Sequence, residues 1–313
     1  MADTNMATAD DLPKDLPKID LPDGDGGIVG TPSKAKSRKR RGGLGSRLFL
    51  VLLAFGLVFA ALGLSGRPIP MPVFVVAEIE HRANAALAKA FARNGRLHVP
   101  GILPAAQADA VGAVLSGAAP WTRAVQIGGR ALDTTIEAWD SMPPDHRAVL
   151  DAATRDAARS GFLYQFDAWR LSDEIEAGKR RGGACAPVEA VYDLINSEPY
   201  LAFIRTLTGE PEAVYCDAMA TRYRPGDFLT THTDAAEGKH RLFAFVLNFT
   251  PVWRVDWGGL LLFPGKDGHL DEGYVPTFNA LNLFATPQPH AVSYVAPFAA
   301  GPRLSITGWV RAR

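Results

Sequence analysis

The run RYRPGDFLTTHTD, residues 222–234, decides how this chain folds and points to its chemistry. After a turn at Pro225-Gly226 it reads as a strand. Side chains two apart along a strand face the same side, so His232 and Asp234 can offer an imidazole nitrogen and a carboxylate to one ion. Outward from this run, from about residue 214 to the C-terminus, short strands alternate with Gly and Pro turns. Phe243, Phe245, Leu247 and Phe249 share one face by period two, as do Phe278, Ala280, Asn282 and Phe284, and Leu304, Ile306, Gly308 and Val310. Ahead of this β half the sequence predicts helices over Ala77–Ala92, from Pro104 to Ser116 and over Pro144–Arg159. A further one is capped at Ser197-Glu198-Pro199 and ended by Gly209. Helices first and strands afterwards predict an α+β fold, a jelly-roll barrel buttressed by N-terminal helices.

A His-x-Asp pair is weak evidence alone, and the chain holds a second, His269-Leu270-Asp271. That pair lies in GKDGHLDEG, which reads as a solvated turn unable to hold two side chains rigidly. His290 separates the two cases: it follows the strand NALNLFATPQPH, 56 positions beyond Asp234, far enough for a distal strand to return a third ligand. Two histidines and a carboxylate on one face of an octahedron leave three positions open, the donor set of non-haem Fe(II) oxygenases. The last strand, PRLSITGW, puts Arg303, Ser305, Thr307 and Trp309 on one side and Leu304 and Ile306 on the other. An arginine on the interior face of a barrel needs an anionic partner, and its planar fork fits a carboxylate.

These residues resemble the prolyl-hydroxylase-like branch of the Fe(II)/2-oxoglutarate dioxygenases. The resemblance covers residues 95–313, on the YxPGxxLxxHxD run, Trp257-Gly258-Gly259-Leu260-Leu261, His290 and Arg303-x-Ser-x-Thr. It implies a double-stranded β-helix that couples oxidative decarboxylation of 2-oxoglutarate to hydroxylation, with O2 consumed and succinate and CO2 released. It makes His232, Asp234 and His290 the iron ligands and Arg303 the grip on the distal carboxylate of 2-oxoglutarate. The resemblance also implies Tyr223 as a co-substrate contact, with Thr307 on the face of Arg303 as a further candidate, and ascorbate (vitamin C) as the agent that keeps the iron reduced. The substrate expected is a prolyl residue of a protein or peptide, or a related amino acid; the competing reading is a non-enzymatic metal-binding jelly roll anchored to the membrane. In one respect the chain departs from the pattern. Relatives that hydroxylate proline in oxygen sensing carry a second tyrosine just before a Leu-Asn pair on a central strand, and here Val246 precedes Leu247-Asn248. The co-substrate pocket must therefore be completed another way. Gly226, Gly258 and Gly259 read as turn or bulge positions, and His240 and Asp227 as ordinary surface or strand-end residues.

Composition frames the rest. Hydrophobic residues at 47% with 21% charged exclude wholesale disorder, and a formal net charge of zero gives no electrostatic case for nucleic acid. Cys185 and Cys216 are too few for a disulfide framework and read as buried small hydrophobes. Residues 1–46, acidic and then basic, read as a disordered tail. Residues 47–67 read as a transmembrane anchor, because 48–66 is an uncharged apolar stretch flanked by Arg47 and Arg67. Residues 68–94 read as a linker and helix. Charge asymmetry then predicts a single-pass protein of a bacterial inner membrane with its C-terminal domain outside, if the N-terminus is genuine. Otherwise the domain is cytoplasmic, where 2-oxoglutarate is made and iron is kept as Fe(II).

Overall fold

The structure, a computed structural model, describes residues 85–127 and 130–312. Its organising element is the last strand, β12 (Arg303–Arg311), which pairs antiparallel with β5 (Tyr215–Tyr223) on one side and β7 (Arg241–Asn248) on the other. Leu304, Ile306 and Val310 are buried in a large apolar cluster, joined from β7 by Phe243, Phe245 and Leu247 and by Phe249 just beyond it. The alternate residues of both strands face the other way, toward a cavity. Gly308 belongs to β12 for a steric reason: a Cβ there would stand 1.8 Å from the Asp217 carbonyl oxygen of β5.

Outward from β12 the strands run in the order β1-β10-β7-β12-β5-β4-β6-β11-β8-β9. The new members are β1 (Arg96–Pro100), β4 (Tyr164–Trp169), β6 (Phe228–His232), β8 (Leu261–Pro264), β9 (Leu270–Tyr274), β10 (Ala280–Ala285) and β11 (His290–Val292). A hairpin of β2 (Thr122–Ile127) and β3 (Arg130–Thr135) adds to β4. All pairings are antiparallel, and the two halves of the order form the walls of a double-stranded β-helix.

Helices cover the outer side of the β10-β7-β12-β5 wall. They are α1 (Ala85–Asn94), α2 (Ala105–Ser116), α3 (Ile136–Asp140), α4 (Pro144–Ala157), α5 (Leu171–Glu176), α6 (Ala186–Ile195) and α7 (Glu198–Thr208); of these, α3 and α4 instead pack beside the β2–β3 hairpin. Their limits follow the sequence signals. Pro104 precedes α2, Pro199 lies in the first turn of α7, and Gly209 ends α7 at φ 74°, its N–H donating to the Arg205 carbonyl. Ser197 stands at the α7 N-cap, but its hydroxyl donates back to the Leu194 carbonyl instead of capping. Phe91 of α1 meets the Phe243 ring edge-on at 5.6 Å, so this helix shares the barrel's core.

Two expectations need correction. The alternation predicted from Phe278 to Phe284 breaks at Asn279, which takes φ 57°. Phe278 therefore packs on the helix side, against the position a Cβ on Gly112 would take, whereas Phe284 faces the opposite cluster with Ala244, Val246, Leu261 and Phe263. The Asn279 side chain secures this kink, accepting from the Leu103 N–H at 2.8 Å and donating to the Leu103 carbonyl at 2.6 Å. The second correction is the membrane localisation. Among the described residues no helix is long and apolar enough to cross a membrane, so the single-pass assignment is not retained; the tail at 1–46, the stretch at 47–67 and the linker to residue 84 lie outside the described residues.

Candidate metal centre and co-substrate cavity

Strands β6 and β11 build the centre. They pair with His290 directly opposite His232, and the two imidazole centroids lie 4.2 Å apart. Asp234, two residues beyond β6, turns its carboxylate between them, with one oxygen 3.5 Å from His232 Nε2 and the other 3.4 Å from His290 Nε2. One ligand atom from each of the three lies within 4.8 Å of the others, and they are the one such cluster of His, Cys, Asp or Glu among the described residues. His232 Nδ1 sits 3.0 Å from the Thr230 carbonyl and His290 Nδ1 2.9 Å from the Gln288 carbonyl. A carbonyl can only accept, so both Nδ1 atoms carry the proton and both Nε2 lone pairs face Asp234. This is how metal-binding imidazoles are held in one tautomer.

The electrostatics suit a cation. Burial pushes the His290 pKa down against the opposing pull of Asp234, leaving a neutral ring. Burial pushes Asp234 up, but its polar surroundings beside His232 and His290 outweigh it, and the carboxyl is held below its usual range. Deprotonated oxygen and neutral nitrogen donors are what a divalent ion requires. His269 and Asp271, the other His-x-Asp pair, are solvent-exposed at β9 and far from forming such a cluster.

The three ligands open onto a cavity of about 360 Å³ that is also lined by Arg303, Ser305, Thr307, Tyr223, Thr221, Val246 and Trp309. Arg303 is 2% exposed. Its guanidinium lies 5.2 Å from the Tyr223 ring centroid, its Nε has no partner, and it makes no ion pair or hydrogen bond with any described residue. Burial pushes its pKa down, the signature of a cation held without a counter-charge. Tyr223 is equally buried, and burial raises its phenol pKa, so it remains a donor. The Thr307 hydroxyl donates to the Phe245 carbonyl at 2.9 Å, leaving its lone pairs for the cavity. Register explains the remaining polar groups: Ser305 faces Thr221 on β5, and their hydroxyls are 2.8 Å apart. Gly259, at φ 60°, lets the chain pass the Arg303 side chain, since a Cβ there would sit 3.3 Å from Arg303 Cδ.

Several cavity residues were not singled out from sequence. Phe162, Tyr164 and Phe166 form an aromatic ladder from the mouth inward: Phe162 stacks near His232 with centroids 5.2 Å apart, and Phe166 against Tyr223 at 5.1 Å. Their signal was the period-two aromatic spacing in GFLYQF. Arg241 covers the Trp309 ring at 3.5 Å and donates to the Asp234 carbonyl. Asp227, expected to be an ordinary surface or strand-end residue, does stand just before β6 but is fully buried and ion-paired with Arg123. A lone charge beside a Pro-Gly turn gives no sequence cue to a partner 104 positions away.

A double-stranded β-helix that projects two histidines and an aspartate beside an unpaired buried arginine defines a class, the non-haem Fe(II) oxygenases that use a 2-oxo acid. Residues 218–311 match the sequence model of the 2OG-Fe(II) oxygenase superfamily. The chain is 32% identical over 181 residues to mouse (Mus musculus) prolyl 3-hydroxylase OGFOD1, a match that covers 56% of this chain and 31% of that protein. It therefore spans about a third of the length of that relative. Among solved structures, a Trichoplax adhaerens prolyl hydroxylase in complex with a hypoxia inducible factor oxygen degradation domain peptide fragment aligns with TM-score 0.50 at 15% identity, over 77% of this chain and 94% of that one. A Pseudomonas putida prolyl-4-hydroxylase aligns with TM-score 0.46 at 22% identity, over 73% of this chain and 98% of that one. Residues 218–311 thus carry the sequence signature of the 2OG-Fe(II) oxygenase superfamily, whose cofactor is Fe(II) and whose co-substrates are 2-oxoglutarate and O2, and the chain is similar to prolyl-hydroxylase-like members of it.

Proposed function

We propose that this protein hydroxylates a prolyl residue of a protein or peptide, or a related amino-acid substrate, and releases succinate and CO2. The observation that carries the reading is Arg303, a buried guanidinium with no counter-charge on the same cavity as the three metal donors. A metal-only binding module has no use for it, because an uncompensated buried charge costs several kcal/mol, on the order of 3–5.

The residues present fit Fe(II). His232, Asp234 and His290 would hold it, and the bound metal supplies O2 activation coupled to decarboxylation of 2-oxoglutarate. The chain's own groups position everything else. The carbonyls of Thr230 and Gln288 keep both imidazoles in the ligating tautomer. Arg303 takes the distal carboxylate of 2-oxoglutarate through its planar fork, and the Tyr223 phenol donates to the same end. Thr307 borders this region with its lone pairs. The Phe162–Tyr164–Phe166 ladder excludes water and offers ring faces to a compact apolar ring such as proline. Ascorbate would serve to keep the metal reduced.

The test is succinate release by the full chain supplied with Fe(II), ascorbate and 2-oxoglutarate, with and without proline-containing peptides. Slow release without peptide, accelerated by a peptide that gains one oxygen, is the expected result. Metal binding without any succinate would replace this reading with the non-enzymatic metal module.

A further inference from the structure

Strands β2 and β4 separate two cavities. Ala124, Tyr164 and Phe166 line the metal cavity, whereas Arg123 and Gln165, on the reverse face, line a second one of about 340 Å³. Helix α4 and the Arg224–Gly226 turn complete this second cavity, and its charges are unevenly committed. Arg123, Arg147, Arg155 and Arg224 line it against a single carboxylate, Asp151.

Neighbouring carboxylates do not neutralise that excess where it faces the cavity. Asp227 and Asp167 are both fully buried and consumed by ion pairs. Asp227 is bound by Arg123, and Asp167 is bound by Arg123 at 3.0 Å, Arg222 at 2.7 Å and Arg224 at 2.6 Å. Asp140 is shared, 3.2 Å from Arg224 and 3.7 Å from Arg147. Asp151 accepts from Gln165 Nε2 at 3.3 Å. That leaves Arg155 with no ion pair to a described residue, Arg147 with one long contact, and two buried nitrogens, Arg224 Nη2 and Arg123 Nε, with no partner. Trp139, under the Arg123 guanidinium, and Tyr294 supply flat and hydroxyl-bearing walls.

We infer that this second cavity is a binding site for a small oxyanion of two or more negative charges, phosphate or dicarboxylate in chemistry. Guanidinium forks match both, and converging arginines with unspent donors are the arrangement that binds them. The inference is independent of the oxygenase reading, since none of these residues touches the metal cavity's ligands.

The experiment is calorimetric titration of the full chain with inorganic phosphate, against sodium chloride at equal ionic strength. Arg147→Gln/Arg155→Gln should weaken phosphate binding by roughly tenfold or more, because charge-assisted hydrogen bonds are lost, while thermal stability without anion and Fe(II) binding stay unchanged. Asp151→Asn, which removes the one opposing charge, should tighten it. Succinate is titrated in parallel, and the part of its binding that the double variant loses belongs to this cavity. Stronger phosphate binding identifies a phosphate-type ligand, and stronger succinate binding a dicarboxylate. Phosphate heat matched by sodium chloride, or equal affinity in wild type, the double variant and Asp151→Asn, would overturn the proposal.

Discussion

Replacing Arg303 with methionine should have effects of opposite sign on the free and the co-substrate-bound protein. Arg303 is buried, 2% exposed, and without a counter-charge, so the free protein carries the desolvation cost of a lone cation. Exchanging buried charge for an apolar side chain of similar volume is neutral or stabilising by about 1–4 kcal/mol. The contact with the Tyr223 ring, 5.2 Å away, is lost and subtracts roughly 1 kcal/mol. Where the exchange stabilises, the balance is a gain of about 0–3 kcal/mol, which raises the unfolding midpoint by up to roughly 10 °C for a domain of this size. Binding of 2-oxoglutarate should weaken by about 2–5 kcal/mol, since its distal carboxylate would be buried unpaired, or roughly 30-fold to several thousandfold. Thermal unfolding under anaerobic Fe(II), with and without 2-oxoglutarate, reads both effects. Wild type should gain stability from 2-oxoglutarate, and Arg303→Met should gain none while starting no lower. A variant that starts several degrees lower and still responds to 2-oxoglutarate would show that Arg303 is a structural residue and refute the reasoning.

His232→Ala, Asp234→Ala and His290→Ala should each lose most Fe(II) affinity, measured by equilibrium dialysis, whereas His269→Ala and Asp271→Ala should bind as wild type; the reverse pattern would put the metal at His269 and Asp271. Gly308→Ala should cost about 3 kcal/mol or more in denaturant unfolding, because its Cβ would meet the Asp217 carbonyl of β5 at 1.8 Å and force the central strands apart. Arg123→Met should cost about 3–5 kcal/mol by the same measurement, leaving Asp227 buried without its partner; a loss under about 1 kcal/mol would show that the pair is dispensable.

How much of this was legible in the sequence depended on the range of the signal. His232 and Asp234 are two residues apart, and the period-two reading brought them together although β6 ends at His232 and Asp234 lies just beyond it. The same rule put Arg303, Ser305 and Thr307 on the cavity face of β12 and Leu304 and Ile306 in the core. Helix limits at Pro104, Pro199 and Gly209 were equally local. The rule failed where one residue left the extended conformation: Asn279 at φ 57° put Phe278 and Phe284 in different clusters. It was silent about Asp227, whose burial depends on Arg123 of a strand that no periodic pattern announced. Charge partners distant in sequence have no composition of their own, so ion-pair networks are the part of a fold that sequence periodicity reveals least.

Val246 stands on the cavity face of β7, across from Thr307 of β12. A valine before Leu247-Asn248 leaves the β7 wall of the cavity without a phenol, and the structure shows what stands around Arg303 instead. Val246 pairs with Thr307 across β12, and Thr307 spends its proton on the Phe245 carbonyl, so this edge of the cavity presents a methyl surface and hydroxyl lone pairs. Donors come from the other flank, where β5 places Tyr223 opposite Arg303 and Thr221 opposite Ser305. The Thr221 and Ser305 hydroxyls, 2.8 Å apart, can use only one proton between themselves, which leaves the other free to turn toward an anion. If Arg303 holds the distal carboxylate as proposed, the donors beside it come from the β5 side of β12 and none from Val246 on the β7 side. Because β12 alternates between core and cavity along its whole length, the choice of side leaves the core face untouched: Leu304, Ile306 and Val310 remain buried whichever neighbour supplies the donors. On the proposed reading, β12 could vary how its cavity face holds a dicarboxylate while its core face keeps the fold.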